Sequence, residues 1–183
     1  MRRSLVLTLL ALAVGVSAAR AQTDIGIGAF GGMSIPIAND LSTQGTMFGV
    51  RVPVRLAPWM VIEAFYANSA LGDAEEDFGG PTTFTRDGGE VSAFGATALI
   101  PFGGSEFGSG LRFFPFVGLG SYSLTRDGAD DIDDMGVNMG LGLGFFVMPK
   151  LALDLRGEFA AIITDDTSQK FGNVTLGATW FIF

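Results

Sequence analysis

The sequence predicts an all-β fold, an eight-stranded antiparallel up-and-down transmembrane β-barrel, and three observations carry that prediction. Apolar and polar residues alternate with a period of two over eight segments, the repeat of a strand with one apolar face. The chain of 183 residues is 48% hydrophobic and holds 27 Gly, yet beyond its first residues it has no run of about 18 apolar residues, so a spanning helix is excluded and a barrel is the form left for crossing lipid. The connections between segments alternate between short and long, as in a meander whose two ends meet different surroundings.

The first residues are set apart from the fold. Arg2 and Arg3 precede the apolar stretch Leu5 to Val16, which leads to the small-residue site Ala19-Arg20-Ala21. This is the layout of an export signal: residues 1–21 are removed before Gln22, and residues 22–183 form one barrel domain. The apolar core is too short to serve as a spanning anchor. Without Arg2, Arg3 and Arg20, 8 of the 11 basic residues remain against 19 acidic ones, a balance unsuited to binding nucleic acid. The absence of Cys excludes a disulfide framework, a thiolate metal site and a lipidated N-terminal Cys.

The strands are expected at Asp24 to Ser34, Thr46 to Leu56, Met60 to Asn68, Val91 to Phe102, Leu111 to Leu124, Gly136 to Val147, Leu151 to Ala161 and Asn173 to Phe183. Each is near or above the nine to eleven residues that a tilted strand needs to cross a bilayer. Around the turn Ala57-Pro58-Trp59, one row holds Phe48, Val50, Val52, Val54, Leu56, Met60, Ile62 and Tyr66, and the other holds Arg51, Arg55 and Glu63. In the fifth strand Leu111, Phe113, Val117 and Leu119 oppose Arg112, Gly118 and Gly120.

If Val147 and Leu151 flank the turn Met148-Pro149-Lys150 as a pair, Val137, Met139, Leu141, Leu143, Phe145 and Val147 share a face with Leu151, Leu153, Leu155 and Phe159. The opposite face then sets Gly140, Gly142 and Gly144 across from Glu158, Arg156 and Asp154, with the glycines making space for the long charged chains. The fourth strand is apolar on both faces. The row Phe94, Ala96, Ala98, Ile100 and Phe102 is preferred as the outer one over Val91, Ala93, Thr97 and Leu99. The last strand alternates Val174, Leu176, Ala178, Trp180 and Ile182 with Asn173, Thr175, Gly177 and Thr179.

The connections after the second and sixth strands are tight turns, and the fourth is followed by a modest loop, Gly103 to Gly110. Those after the odd strands, Ile35 to Gly45, Ser69 to Glu90, Thr125 to Met135 and Ile162 to Gly172, are longer and mostly acidic. A barrel in the outer membrane segregates its loops this way, long outside and short at the periplasm. The charged rows then face the axis, because exposing Arg51, Arg55, Arg112 and Arg156 to lipid would cost roughly 2 to 4 kcal/mol each near the midplane.

Eight strands enclose a bore just wide enough for side chains to fill. It is expected to hold Arg51, Arg55, Arg112 and Arg156 against Glu63, Asp154 and Glu158, with Asp24 and Glu90 near the ends. Charges in a narrow, dry interior must pair. One reading is a polar plug that fixes the barrel's shape, which the bore width favours; the other is a charge-lined path for small solutes.

The chain resembles the small outer-membrane β-barrel proteins of the OmpA-barrel and OmpX type. The likeness rests on the signal segment, the opening Ile25-Gly-Ile-Gly-Ala-Phe-Gly-Gly, the strands Pro115-Phe-Val-Gly-Leu-Gly and Gly140-Leu-Gly-Leu-Gly-Phe-Phe, and the terminal Trp180-Phe-Ile-Phe183. The resemblance implies a place in the outer membrane of a Gram-negative-type envelope, contact with its lipids, delivery by periplasmic chaperones and insertion by the barrel-assembly machinery. That machinery reads the last strand, here Trp180, Phe181 and Phe183. In such barrels aromatics stand at the final residue and two before it, as Phe183 and Phe181 do, whereas the continuous apolar row is led by Ile182 and Trp180, so the facing of this strand stays open. No wall-binding domain follows the barrel, and a wall-anchoring role is not carried over.

No catalytic residue and no cofactor are expected. With no His, nucleophile–His mechanisms are excluded, and Ser168 near Lys170 lies in a segment too solvated to lower a lysine's pKa. Asp127, Asp130, Asp131, Asp133 and Asp134 could gather a divalent cation, a hard ion that takes carboxylate oxygens. Their spacing is not that of an EF-hand, and such charge runs are usually solvated. The rival from another class is a soluble, lipocalin-like periplasmic barrel binding an apolar ligand, which would turn every apolar row inward.

Overall fold

The computed structural model describes residues 24–37, 43–77, 83–86, 88–103, 108–126, 131–164 and 168–182. The alternating segments become strands β1 (Ile25–Ile37), β2 (Thr43–Ala57), β3 (Met60–Gly72), β4 (Ala74–Asp77), β5 (Thr83–Arg86), β6 (Glu90–Leu99), β7 (Leu111–Thr125), β8 (Ile132–Met148), β9 (Leu151–Ile162) and β10 (Gln169–Ile182). Eight of them close a barrel in the order β1-β10-β9-β8-β7-β6-β3-β2, and β4 with β5 makes a separate hairpin. Pairing of β1 with β10 runs unbroken from Ile25 opposite Ile182 to Ile37 opposite Lys170. The fold class is the one the alternation predicts.

The faces settle which side meets lipid. Leu141, Leu155, Leu176 and Trp180 point away from the axis and are exposed by 55%, 45%, 67% and 49%, whereas Arg51 on the inner face is exposed by 1%. A soluble barrel with apolar residues inside is thereby overturned. In β6, Phe94 is exposed while Val91, Ala93, Thr97 and Leu99 are buried, so the row with Phe94, Ala96 and Ala98 faces out. In β10, Val174, Leu176, Trp180 and Ile182 face out, and Phe171, Asn173, Thr175, Thr179 and Phe181 face in. The export signal, its cleavage site and Phe183 lie outside the described residues.

Several local expectations change. The strands run further toward the long connections than their apolar alternation shows. β8 gains its first turns because Ile132, Asp133 and Asp134 still pair with Leu124, Ser123 and Tyr122 of β7, and backbone ladders need no apolar face. Similarly the connection after β3 is not all loop, since it contains the β4–β5 hairpin. This hairpin is tied to the wall where Thr43 Oγ1 donates to the Asp73 carbonyl at 3.1 Å and Asp73 Oδ1 accepts from the Gly88 amide at 3.2 Å.

β6 stops at Leu99 rather than Phe102. Opposite Ile100, Pro115 has no N–H to return, so that pair keeps one bond, from the Ile100 amide to the Pro115 carbonyl at 3.1 Å, and two-way pairing resumes at the bridge between Phe102 and Phe113. At the turn before β9 the pair is Met148 with Leu151, not Val147 with Leu151. Phe146 pairs with Ala152, and the ladder slips between them; such a bulge bends a strand end without reversing the faces below it. Gly103, Gly108 and Gly110 around the β6–β7 loop have φ of 84°, 87° and 76°, a backbone that side-chain-bearing residues rarely adopt.

The outward face is under the harsher rule. Leu141→Arg is expected to destabilise the lipid-embedded barrel by about 2 to 4 kcal/mol in a urea titration, and spin labels at Leu141 and Val52 should be reached by membrane-dissolved oxygen.

Candidate functional site

The inward faces of the eight strands are layered along the bore. Nearest the long connections, Leu71, Val91, Ala93, Tyr122, Leu124, Ala160, Ile162 and Phe171 form an apolar cluster, with Leu124 exposed by 1% and Ile162 by 0%. Sequence reasoning missed this layer, having assigned the bore to charges throughout. Its only signal was the second apolar row of β6, which made that strand ambiguous and which now packs here.

Below it lies an ionic waist. Arg156 of β9 donates to both oxygens of Glu63 on β3, Nη1 to Oε1 at 2.6 Å and Nη2 to Oε2 at 2.9 Å. In the closed order β9 and β3 are four strands apart in either direction, so this fork crosses the full bore. Arg156 Nε also donates to Asp154 Oδ1 at 2.9 Å, and Arg51 Nη2 donates to Asp154 Oδ2. Arg51 Nε stands 3.9 Å from Glu63 Oε2, completing a four-membered ring of two cations and two carboxylates. Arg156 additionally sits over the Phe114 and Phe116 rings at 5.2 and 5.7 Å, and Arg51 over Phe30 at 5.5 Å. Guanidinium suits this place because its planar fork binds a carboxylate two ways while its face stacks on rings.

The remaining predicted lumen residues do not join that ring. Arg55 pairs with Asp24 at 3.0 Å near the turn end. Arg112 lies over the Phe146 ring at 5.5 Å, and Phe146 stacks with Phe181 at 5.7 Å. Glu158 meets no arginine; its oxygens accept from Asn173 Nδ2 at 2.8 Å and Asn138 Nδ2 at 3.0 Å. Glu90 accepts from Asn68 at the loop end.

The glycines opposite β9 have a different use from the one expected. A Cβ on Gly142 would overlap the Phe114 ring, one on Gly140 the tip of Phe116, and one on Gly136 the Tyr122 ring at 2.6 Å. They therefore receive aromatic rings from β7 instead of charged chains from β9. Gly177 does accommodate an arginine, since a Cβ there would strike the Arg51 guanidinium.

Two cavities flank the waist. One of about 20 Å³ lies on the loop side, beside Asn173 and Glu158. The other, about 90 Å³, lies on the turn side among Arg112, Phe114, Phe146 and Phe181.

At the loop rim, alternation along β8 sends Asp133 toward the outer face and Asp134 toward the bore. Among the described residues no three His, Cys, Asp or Glu side chains converge on a common point, and Asp127 and Asp130 lie outside those residues. Ser168 and Lys170 are exposed.

The profile of the family described as "Outer membrane protein beta-barrel domain" matches residues 4–180. No curated protein matches the chain. Among solved structures, Neisserial surface protein A is similar with a TM-score of 0.63 at 16% identity, over 87% of this chain and 97% of that one. A major outer membrane protein from Thermus thermophilus gives 0.59 at 16%, over 88% and 100%. The N-terminal β-barrel domain of Pseudomonas aeruginosa OprF gives 0.54 at 16%, over 86% and 97%. At these identities the likeness is one of fold.

Breaking the fork by Glu63→Leu is expected to cost about 3 to 5 kcal/mol, because it strands a buried guanidinium. In a double-mutant cycle by urea titration, Glu63→Leu with Arg156→Met should cost clearly less than the sum of the two single changes.

Proposed function

The chain belongs to the outer membrane protein β-barrel domain family, and from that premise we propose that it is an integral outer-membrane protein with a side-chain-filled lumen, serving a structural or surface-interaction role through its acidic extracellular loops. The observation that carries this reading is the Arg156–Glu63 fork, which bridges opposite walls and is roofed by the apolar cluster around Leu124 and Ile162. A solute would have to break buried, mutually hydrogen-bonded charges and then displace close-packed apolar side chains. A narrow porin-like channel fits this interior poorly. The loop end is then the surface open to partners.

In this reading outer-membrane lipids contact the rows headed by Leu141 and Leu176, and divalent cations link the acidic rim to anionic headgroups through single carboxylates rather than a clustered site. Periplasmic chaperones deliver the chain, and the barrel-assembly machinery recognises the final strand, where Trp180 faces out and Phe181 packs inward on Phe146. No catalysis is assigned, since Ser168 and Lys170 stand in water where neither is activated.

The purified barrel should shift on a gel when heated, stay with membranes after osmotic shock, and give no large stable conductance in a planar bilayer. A steady open level in that recording would replace the plug with a pore.

A further inference from the structure

The small loop-side cavity has features that neither the plug nor the family accounts for. Its wall includes Ser34, Ser69, Tyr122, Glu158 and Asn173, with apolar residues over it. Asn173 is exposed by only 6%, and its Oδ1 accepts no hydrogen bond; the same holds for Oδ1 of Asn138, exposed by 3%. Both amides donate to Glu158, Asn173 Nδ2 at 2.8 Å and Asn138 Nδ2 at 3.0 Å, the latter also to Thr97 Oγ1 at 3.4 Å, and of the two Asn173 lines the cavity. Glu158 in turn has no basic group within salt-bridge reach among the described residues. The nearby arginines, Arg51 and Arg156, are consumed by Glu63 and Asp154.

We propose that this cavity is a binding site for one small monovalent cation, sodium by size and charge, which neutralises Glu158. Glu158 is half-buried and lacks a counter-charge among the described residues, and a cation that joins such a carboxylate stabilises it. The wall offers what a hard cation takes, a carboxylate with carboxamide and hydroxyl oxygens. A single positive charge closes the local balance, whereas a divalent ion would leave one charge in excess. The volume of about 20 Å³ admits one species of water's size, and choline or another organic cation is too large. The site is independent of whether the loops bind partners, because it depends only on the bore.

The test is an equilibrium urea titration of the lipid-embedded barrel in sodium chloride and in choline chloride at equal ionic strength. An ion bound only by the folded form at ten times its dissociation constant raises the folded-to-unfolded ratio about elevenfold. A sodium advantage of that order is expected for the native chain and its loss in Glu158→Gln. Coincident curves for the native chain, or an equal advantage in the variant, would overturn the assignment. Crystals of the native protein grown with thallous acetate in place of sodium give a second readout needing no variant. An anomalous peak beside Glu158 supports the site, and density there without anomalous signal assigns it to water and refutes the cation.

Discussion

Closure of the sheet between β1 and β10 is the constraint from which the rest follows. In hydrocarbon an unpaired amide has no water to turn to, so an open sheet edge is forbidden. Thirteen consecutive residues of β1, Ile25 to Ile37, find partners on β10, which leaves no free edge in the wall. Once the ring closes with eight members its bore is set, and every inward side chain must fit a space that holds side chains and little else.

Within that bore the loop end and the waist solve different problems. The loop end is filled mainly by apolar side chains such as Leu124, Ile162 and Phe171, while the waist is built of charges that can exist there only because each has a partner. The register makes this pairing feasible. Arg156 sits at a height on β9 where Glu63 of β3 lies straight across, and Asp154, two residues earlier on the same face, is left to take Arg51. Glycines set the clearances: Gly140 and Gly142 let the β7 rings lie flat against β8, and those rings then support the Arg156 guanidinium from beneath.

What the sequence reveals is what period two encodes. The eight strands, their faces and the inward placement of Arg51, Glu63, Asp154 and Arg156 follow from alternation and from the cost of a charge in lipid. Strand ends such as Ile132 to Met135 were hidden because ladder bonding continues where apolar contrast stops. The β4–β5 hairpin was hidden because its strands, Ala74–Asp77 and Thr83–Arg86, are too short to show a period. Pairing across the bore was out of reach because alternation gives a side chain's direction and not its height. Arg112 and Glu158 thus line cavities on opposite sides of the waist instead of meeting. The apolar layer escaped because an inward Leu and an outward Leu look alike in a strand that is apolar on both sides.

The ionic waist does more than fill the bore. Buried ion networks can commonly be replaced by apolar side chains with no loss of stability, and the layer just above shows that this bore accepts apolar filling. Stability therefore does not explain why charges occupy the waist. Geometry does: an apolar core tolerates sliding of one wall against another, whereas the fork between Arg156 and Glu63 is satisfied at one height and one separation only. A one-residue slip would turn the whole charged row of a strand to lipid. The same residues that fill the bore thus penalise misregistered closure, which a uniformly apolar interior would permit.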